Sequence, residues 1–502
     1  MGFTIYDWAI LALYFVILAV SGVLLSRRQT DTKDYFLARG SIPMWAAAVS
    51  LLATALSAAT FIGGPQQAYK GDLTYLSANI GSIIAIVVVA VFFIPVFYKY
   101  EVFTVYQLLQ RRFGTPALVS SSGAFLIGRI FASGARVYIV ALPTSLIVFG
   151  DIAIEHQVLA VIIFTVISIF YTLAGGIRSV IWTDVIQTFV FVGAAVVGLV
   201  VLLDKIPLPL GEIMDNLRNP GEGLSSKLTL FKLGTEGFSP KHTYTILSAI
   251  FGFTLLNLGA YGTDQDMAQK LLTCKSARKG SQSALLGVAI GLPVTALFMF
   301  IGLLLYIFYQ RPDLMGMAAP VYEVPESRQI FLTFIINELP AGLSGLMLAG
   351  LFAAGLSTLV SGLNSMSSSF TTDFYKRLRP GLTEKHYLFV GRLGVMGWGI
   401  IIGGFALFSI YWQAARPQTT MIDFALSVMI FAYSGLVAVF ITALFTKRGN
   451  NISVIAALVT GFTSVVIMQS NFADVLAFPW QLTIATGLSF LVCIIPAASK
   501  RL

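Results

Sequence analysis

The sequence predicts an all-α polytopic membrane protein with about 13 transmembrane helices, and three observations carry that reading. Of 502 residues, 57% are hydrophobic and only 11% charged, whereas soluble globular proteins carry about 25% charged residues. The mean hydropathy is +0.84, so too little polar surface is left to clothe a water-soluble body of this size. Apolar stretches of about 20 residues, the length a helix needs to cross a bilayer, recur from one end of the chain to the other. These stretches lack the alternation of membrane β-strands, and apolar runs this long satisfy their own backbone as helices.

In order, the candidate spans cover about 5–26, 43–68, 77–99, 119–149, 155–174, 179–203, 243–270, 282–309, 342–371, 386–412, 422–446, 453–470 and 480–498. Arg27 and Arg28 follow the first stretch. A cleaved signal peptide carries its basic residues before the apolar run, so 5–26 reads as an uncleaved leading helix. The segments 204–242 and 310–341 are Pro- and Gly-punctuated, and the second holds a short helix near Arg328–Glu338, read as a surface cap. With the N-terminus outside, twenty of the 32 Lys and Arg residues fall in inner segments, Lys270 among them, and nine in outer ones. That asymmetry puts the N-terminus outside and the C-terminus inside, in an inner or plasma membrane. The net charge of +9 therefore follows topology and is not a nucleic-acid footprint.

Other classes fall away by composition. His156, His242 and His386 are scattered, and Cys274 and Cys493 lie far apart, which argues against zinc, haem or a structural disulfide. No Gly-Lys pair occurs, so a P-loop ATP-driven pump is excluded. The spans lack a His/Asp/Glu constellation for catalysis, and the chain reads as a transporter and not an enzyme.

Two spans are built unlike their neighbours. Span 43–68 contains Ala53-Thr54-Ala55-Leu56-Ser57-Ala58-Ala59-Thr60 and then Gly63-Gly64-Pro65; span 243–270 contains Asn257-Leu258-Gly259-Ala260-Tyr261-Gly262-Thr263-Asp264-Gln265. They lie five helices apart and open two five-helix halves, 43–203 and 243–446. Transporters of inverted-repeat design break helices in such matching positions, although small residues also serve tight helix packing. In span 342–371, Ala354, Ser357, Thr358 and Ser361 share one helical face. Hydroxyls and freed carbonyls are hard oxygen ligands suited to an alkali cation; bonding of Ser and Thr back to their own helix is the alternative. Ionisable residues inside spans are candidates for function because they are costly there. Asp184 is one. Arg129 and Arg136, seven residues apart on one helix face, could grip an anionic solute or pair with an internal carboxylate.

Several ordered blocks resemble the sodium/solute symporter family: Asp34-Tyr35-Phe36-Leu37-Ala38-Arg39-Gly40, Ser57-Ala58-Ala59-Thr60-Phe61-Ile62-Gly63, Trp182-Thr183-Asp184-Val185-Ile186-Gln187, and Thr263-Asp264-Gln265 with Gln269. The stretch from Phe352 through Asp373-Phe374-Tyr375 adds another. The resemblance covers essentially the whole chain and implies a leucine-transporter type of fold: a leading helix (5–26), two inverted five-helix repeats and two trailing helices (453–498). It implies Na+ as coupling ion, held by the carbonyls of Ala53, Leu56 and Ala354 and the hydroxyls of Ser357 and Thr358. A second sodium or a proton is implied at Asp184 and Ser361, with Val360 standing where two-sodium members carry a hydroxyl. By similarity to the sialic-acid branch, Ser57, Thr60, Asn79 and Arg129 would contact the solute. Ala260 stands where galactose-type members place an aromatic gate. The expected function is sodium-coupled import of a small polar organic solute by alternating access, a carboxylate-bearing sugar such as sialic acid first among them. A neutral sugar, an amino acid, a monocarboxylate or proton coupling are the alternatives; a membrane sensor or enzyme is remote. The expected partners are the solute and the lipid bilayer, with no nucleic acid and no obligatory protein partner.

Overall fold

The computed structural model describes residues 3–25, 31–174, 176–221, 223–232, 239–320, 326–415 and 419–495. Arg27, Arg28, Gly175, Arg416, Lys500 and Arg501, which enter the sequence reading, lie outside the described residues. The transmembrane elements are α1 (Ile5–Leu25), α2 (Met44–Ala55), α3 (Ala58–Lys70), α4 (Ala78–Val88), α5 (Thr115–Phe149), α6 (Ile154–Ala174), α7 (Ile177–Lys205), α8 (Thr254–Leu258), α9 (Gln265–Leu272), α10 (Ala277–Gln310), α11 (Leu343–Ser369), α12 (Glu384–Ala414), α13 (Met421–Ser427), α14 (Ile430–Phe445), α15 (Asn451–Asn471) and α16 (Phe478–Ile494). Each of the thirteen expected stretches is mainly helical over its described residues. Ten helices among the described residues are long and apolar enough to cross a membrane, and up to twelve when two bent pairs are joined. The shortfall has a local cause. Expected span 43–68 is broken, 422–446 bends by 45° between α13 and α14, and α16 has only 17 described residues.

The first break follows from side chains that cap. Leu56 leaves the helix at φ −90°, ψ 107°. Ser57 then starts α3 as its N-cap, accepting the Ala59 N–H at 3.2 Å, the usual role of a serine at a helix start. The second break lies at Asp264 (φ −84°, ψ 123°), which caps α9 by accepting the Asp266 N–H at 2.9 Å. Breaks like these leave backbone groups without helical partners, tolerated at membrane depth only where protein or a polar cavity surrounds them. Here α11 does so, with residues Met347–Ser369 all buried.

Around that axis the other helices pack as a cage. α7 runs along α11, α2 leans on α7, and α5 and α12 close the other side. α10 packs along α3 because Gly302 carries no Cβ; one added there would collide with the Pro65 carbonyl. α1 is tied in by Asp7, whose carboxylate accepts the N–H groups of Gly342 (2.9 Å) and Gly345 (2.8 Å) at the start of α11. The expected short helix appears as Ile330–Glu338.

One expectation needs correction. Lys270 is not a loop charge: it sits on α9 and is wholly buried, as are its neighbours from Gln265 to Leu271. The orientation argument loses one inner charge by it.

Candidate functional site

The site grows from the first break. The last turn of α2 and the non-helical Leu56 face α11, and a small cavity between them is lined by Ala53, Leu56, Ala354 and Ser357, with Gln187 and Thr188 of α7 on its third side. Four of the five residues expected to hold sodium thus converge. Thr358, buried one residue further along α11, bonds through its hydroxyl to the Ala354 carbonyl at 3.1 Å. The Ser357 hydroxyl donates to Asp184 Oδ1 at 2.6 Å, leaving its oxygen lone pairs for a cation. Neutral oxygens from a broken helix and two hydroxyls match what a small, hard monovalent ion requires.

Asp184 and Ser361 bond to different partners. Asp184 accepts from Ser50 and Ser357, and its Oδ2 lies 2.8 Å from the Lys270 ammonium. Lys270 also reaches the Ser50 carbonyl at 3.0 Å and the Thr54 hydroxyl. Ser361 instead donates to Asp266.

The two arginines of α5 meet different surroundings. Arg129 is an ion-pair partner of Asp266 and, at 3.4 Å, of Asp264. Tyr433 of α14 donates to the same Asp264 carboxylate at 2.7 Å. The guanidinium of Arg129 is thus committed to carboxylates of the second helix break, in place of the solute contact expected for it. Arg136, one heptad on, is buried with no carboxylate within 4 Å among the described residues; it donates to its own Ala132 carbonyl at 2.9 Å and to the Met429 sulfur at 3.5 Å, and its Nε has no partner.

A second, more polar cavity lies beside the broken helices. Thr60 of α3 and Asn79 of α4 line it, together with Tyr75, Asn257 and Tyr261. The Asn79 amide donates to the Leu76 carbonyl at 3.1 Å. Ser57 is buried next to Leu56 as the cap of α3. Leu426, one turn before Met429, also lines this cavity, and Tyr75 is within electrostatic reach of Arg136.

Sequence reasoning missed Lys270 and the partners of Arg129. The signal for Lys270 was available, since a lysine four residues after Asp266, on a segment opened by a capping Asp264, belongs to a helix and not to a loop.

Broken helices at the middle of a helical bundle, with cation-grade oxygens at one break and a polar cavity beside it, define a secondary transporter. The comparisons with known proteins agree with that class. The sequence model of the Sodium:solute symporter family matches residues 35–461, and the chain belongs to that family. It is 28% identical to the sodium/sialic acid symporter SiaT of Proteus mirabilis over 92% of this chain and 89% of that one. It is 29% identical to the sodium/sialic acid symporter NanT of Aliivibrio fischeri over 92% and 87%, and 26% identical to the sodium/glucose cotransporter of Vibrio parahaemolyticus over 91% and 84%. The structure superposes on a solved Na+-coupled sialic acid symporter in a substrate-bound outward-open state with a TM-score of 0.84, at 26% identity, over 99% of this chain and all of that one. A nucleobase-cation-symport-1 family transporter shares the fold at 15% identity and a TM-score of 0.53. The fold is of the leucine-transporter type. The protein is a multi-pass sodium-coupled symporter of the inner or plasma membrane that moves a small organic solute, with Na+ as its coupling ion.

Proposed function

We propose that the solute is a carboxylate-bearing sugar of the sialic-acid class, and that Arg136 receives its carboxylate. The single observation that carries this reading is Arg136 itself: a guanidinium buried to 8% exposure with no carboxylate within 4 Å among the described residues, Asp264 and Asp266 acting on it only from farther off. A charge kept in the membrane interior without a partner is costly, by at least ~2.5 kcal/mol, and such residues mark substrate pathways. A planar fork with an unpaired Nε is the donor geometry that binds a carboxylate. Thr60 and Asn79, with Tyr75, Asn257 and Tyr261, offer hydroxyls and amides for a polyhydroxylated ring. The nearness of two sialic acid symporters in sequence points the same way.

The sodium ion sits on the carbonyls of Ala53, Leu56 and Ala354 and the hydroxyls of Ser357 and Thr358. Bound there it pins the broken α2–α3 element to α11 and favours the state that admits solute; its loss to the cytoplasm frees that contact. The two halves 43–203 and 243–446 act as the inverted repeats that rock against each other, with the N-terminus outside and the C-terminus inside. The work comes from the sodium gradient and needs no protein partner.

The test is uptake of N-acetylneuraminic acid into proteoliposomes under an inward sodium gradient, with the sugar's carboxamide as competitor. Sodium-dependent uptake that the free acid inhibits and the amide does not is the expected result. Equal competition by the amide, or uptake only of neutral sugars, would sink the assignment and leave sodium symport standing.

A further inference from the structure

We propose that the Lys270 ammonium is a tethered cation that fills the position beside Asp184, so that this symporter binds and moves one sodium ion per cycle. The inference rests on the sodium coupling of the family and concerns the surroundings of the Ser357 site proposed above.

Lys270 is wholly buried, and its Nζ meets three acceptors: Asp184 Oδ2 at 2.8 Å, the Ser50 carbonyl at 3.0 Å and the Thr54 hydroxyl. A lysine ammonium has three donors, so its shell is complete. The shell it occupies consists of a carboxylate, a carbonyl and a hydroxyl, the hard oxygen set that would otherwise suit an alkali ion. Asp184 is filled from its own side as well, since Oδ1 accepts from Ser357 and Oδ2 from Ser50 in addition to Lys270.

A mobile sodium at this place would have to displace an ammonium that cannot leave. On α11 it would find only the Ser357 hydroxyl, which already serves the first proposed site. The Val360 side chain offers no oxygen, and the Ser361 hydroxyl is turned to Asp266. The ammonium joins α9 to α2 and α7 and, through Asp184 and Ser357, to α11. The fixed charge is therefore adjacent to the proposed sodium site without being part of it. Taking it away leaves an anionic carboxylate in a gap the size of an ammonium, lined by oxygens.

The experiment counts sodium on the purified full-length protein by radioactive sodium binding, with no solute present. The wild-type protein should bind one ion with a Hill coefficient near one. Lys270→Ala should bind two, with a coefficient approaching two, while Lys270→Arg stays at one. In proteoliposomes the extra charge should raise solute accumulation in Lys270→Ala by about fiftyfold per 100 mV of membrane potential relative to wild type. Two ions on the wild-type protein overturn the proposal, and so does a folded Lys270→Ala that still binds one. Because Lys270→Ala strands a buried carboxylate, Lys270→Gln is made alongside it with the same expected count. The wild-type count keeps the test decisive if neither variant folds. A fall of about a hundredfold in sodium affinity in Ser357→Ala/Thr358→Ala, with Lys270 intact, identifies the primary site separately, so failure of that site and failure of the Lys270 proposal give different results.

Discussion

Arg129 and Arg136 stand seven residues apart on the same face of α5, are both buried, and are indistinguishable to any rule of helix spacing. Arg129 is matched by two carboxylates from the second helix break and by a tyrosine that shares one of them. Arg136 has a carbonyl from its own helix and a methionine sulfur. The difference teaches that a buried arginine is read by what faces it. A guanidinium matched by internal carboxylates fastens helices, and one without such a match is held ready for a charge that arrives from outside. Burial alone separates neither case, since both sit below 9% exposure.

The largest expected effect breaks the fastening. Arg129→Met strands Asp264 and Asp266 in the interior, and removing one partner of a buried pair costs about 3–5 kcal/mol. A thermal melt in detergent should show a large drop, partly restored by adding Asp266→Asn, because the two positions share one interaction. Arg136→Met should leave the melting temperature nearly unchanged or raise it. Equal losses in the two variants would erase the distinction between them.

Next in size is the effect on solute. Arg136→Gln should weaken binding of an acidic sugar by about 2–4 kcal/mol, the scale for truncating a buried charge-paired donor, with sodium affinity hardly moved. The readout is solute-induced stabilisation at saturating sodium. A solute affinity unchanged by Arg136→Gln would return the anionic-substrate idea to Arg129 or remove it altogether.

Much of this molecule was legible in its sequence. Thirteen apolar stretches locate the helices because membrane spans declare themselves by length, and the Ser57 and Asp264 breaks show through as hydroxyl- and glycine-rich runs. What stayed hidden was pairing. The partners of Arg129 lie 135 and 137 residues away, and Lys270 joins Asp184 across 86. Periodicity reports a face and never the element opposite it. Lys270 was also misplaced for a physical reason. An apolar window ends at a lysine whether that lysine meets water or folds back onto a buried carboxylate.

Smaller still is the loss at the proposed sodium site. Each hydroxyl removed from an ion's shell forfeits an interaction of about 1.5 kcal/mol, the low end for hydrogen bonds to charged groups. Each single variant should therefore raise the half-saturating sodium concentration about tenfold, and Ser357→Ala/Thr358→Ala about a hundredfold, while the protein still folds. The sharper outcome is a difference between the two single variants. Ser357→Ala also strips a donor from Asp184 Oδ1, whereas Thr358→Ala frees only the Ala354 carbonyl. Ser357→Ala should be the worse for stability, and an uptake curve unmoved by the double variant would remove the site.

The smallest effect tests the same comparison at the surface. Lys227, in the long outer segment, has no carboxylate within 4 Å among the described residues; its ammonium donates to the Tyr69 carbonyl at 2.9 Å and lies 4.1 Å from the centre of the Tyr306 ring. Burial lowers its pKa to about 8, against the opposing pull of Asp72. Asp72 itself is paired with Lys232 at 2.9 Å. In the unfolded chain a lysine titrates near 10.4. Between those values the unfolded state holds more protons at this position than the folded one, so stability from this group rises with pH from about 8 to about 10. Below pH 8 the burial cost is present in full. Because the ammonium is partly exposed, solvent screening reduces the gain to a few tenths of a kcal/mol. The stability of wild type relative to Lys227→Met, read from melting curves, should therefore rise slightly from pH 7.5 to about 10, whatever its cation–π contact, worth about 0.5–1 kcal/mol, adds at the lower end. A difference that stays constant over this range would show that Lys227 keeps its proton in the folded protein. An unmatched ammonium beside water can give up its proton. An unmatched guanidinium inside the membrane cannot, which is why Arg136 and not Lys227 is the one to expect a ligand at.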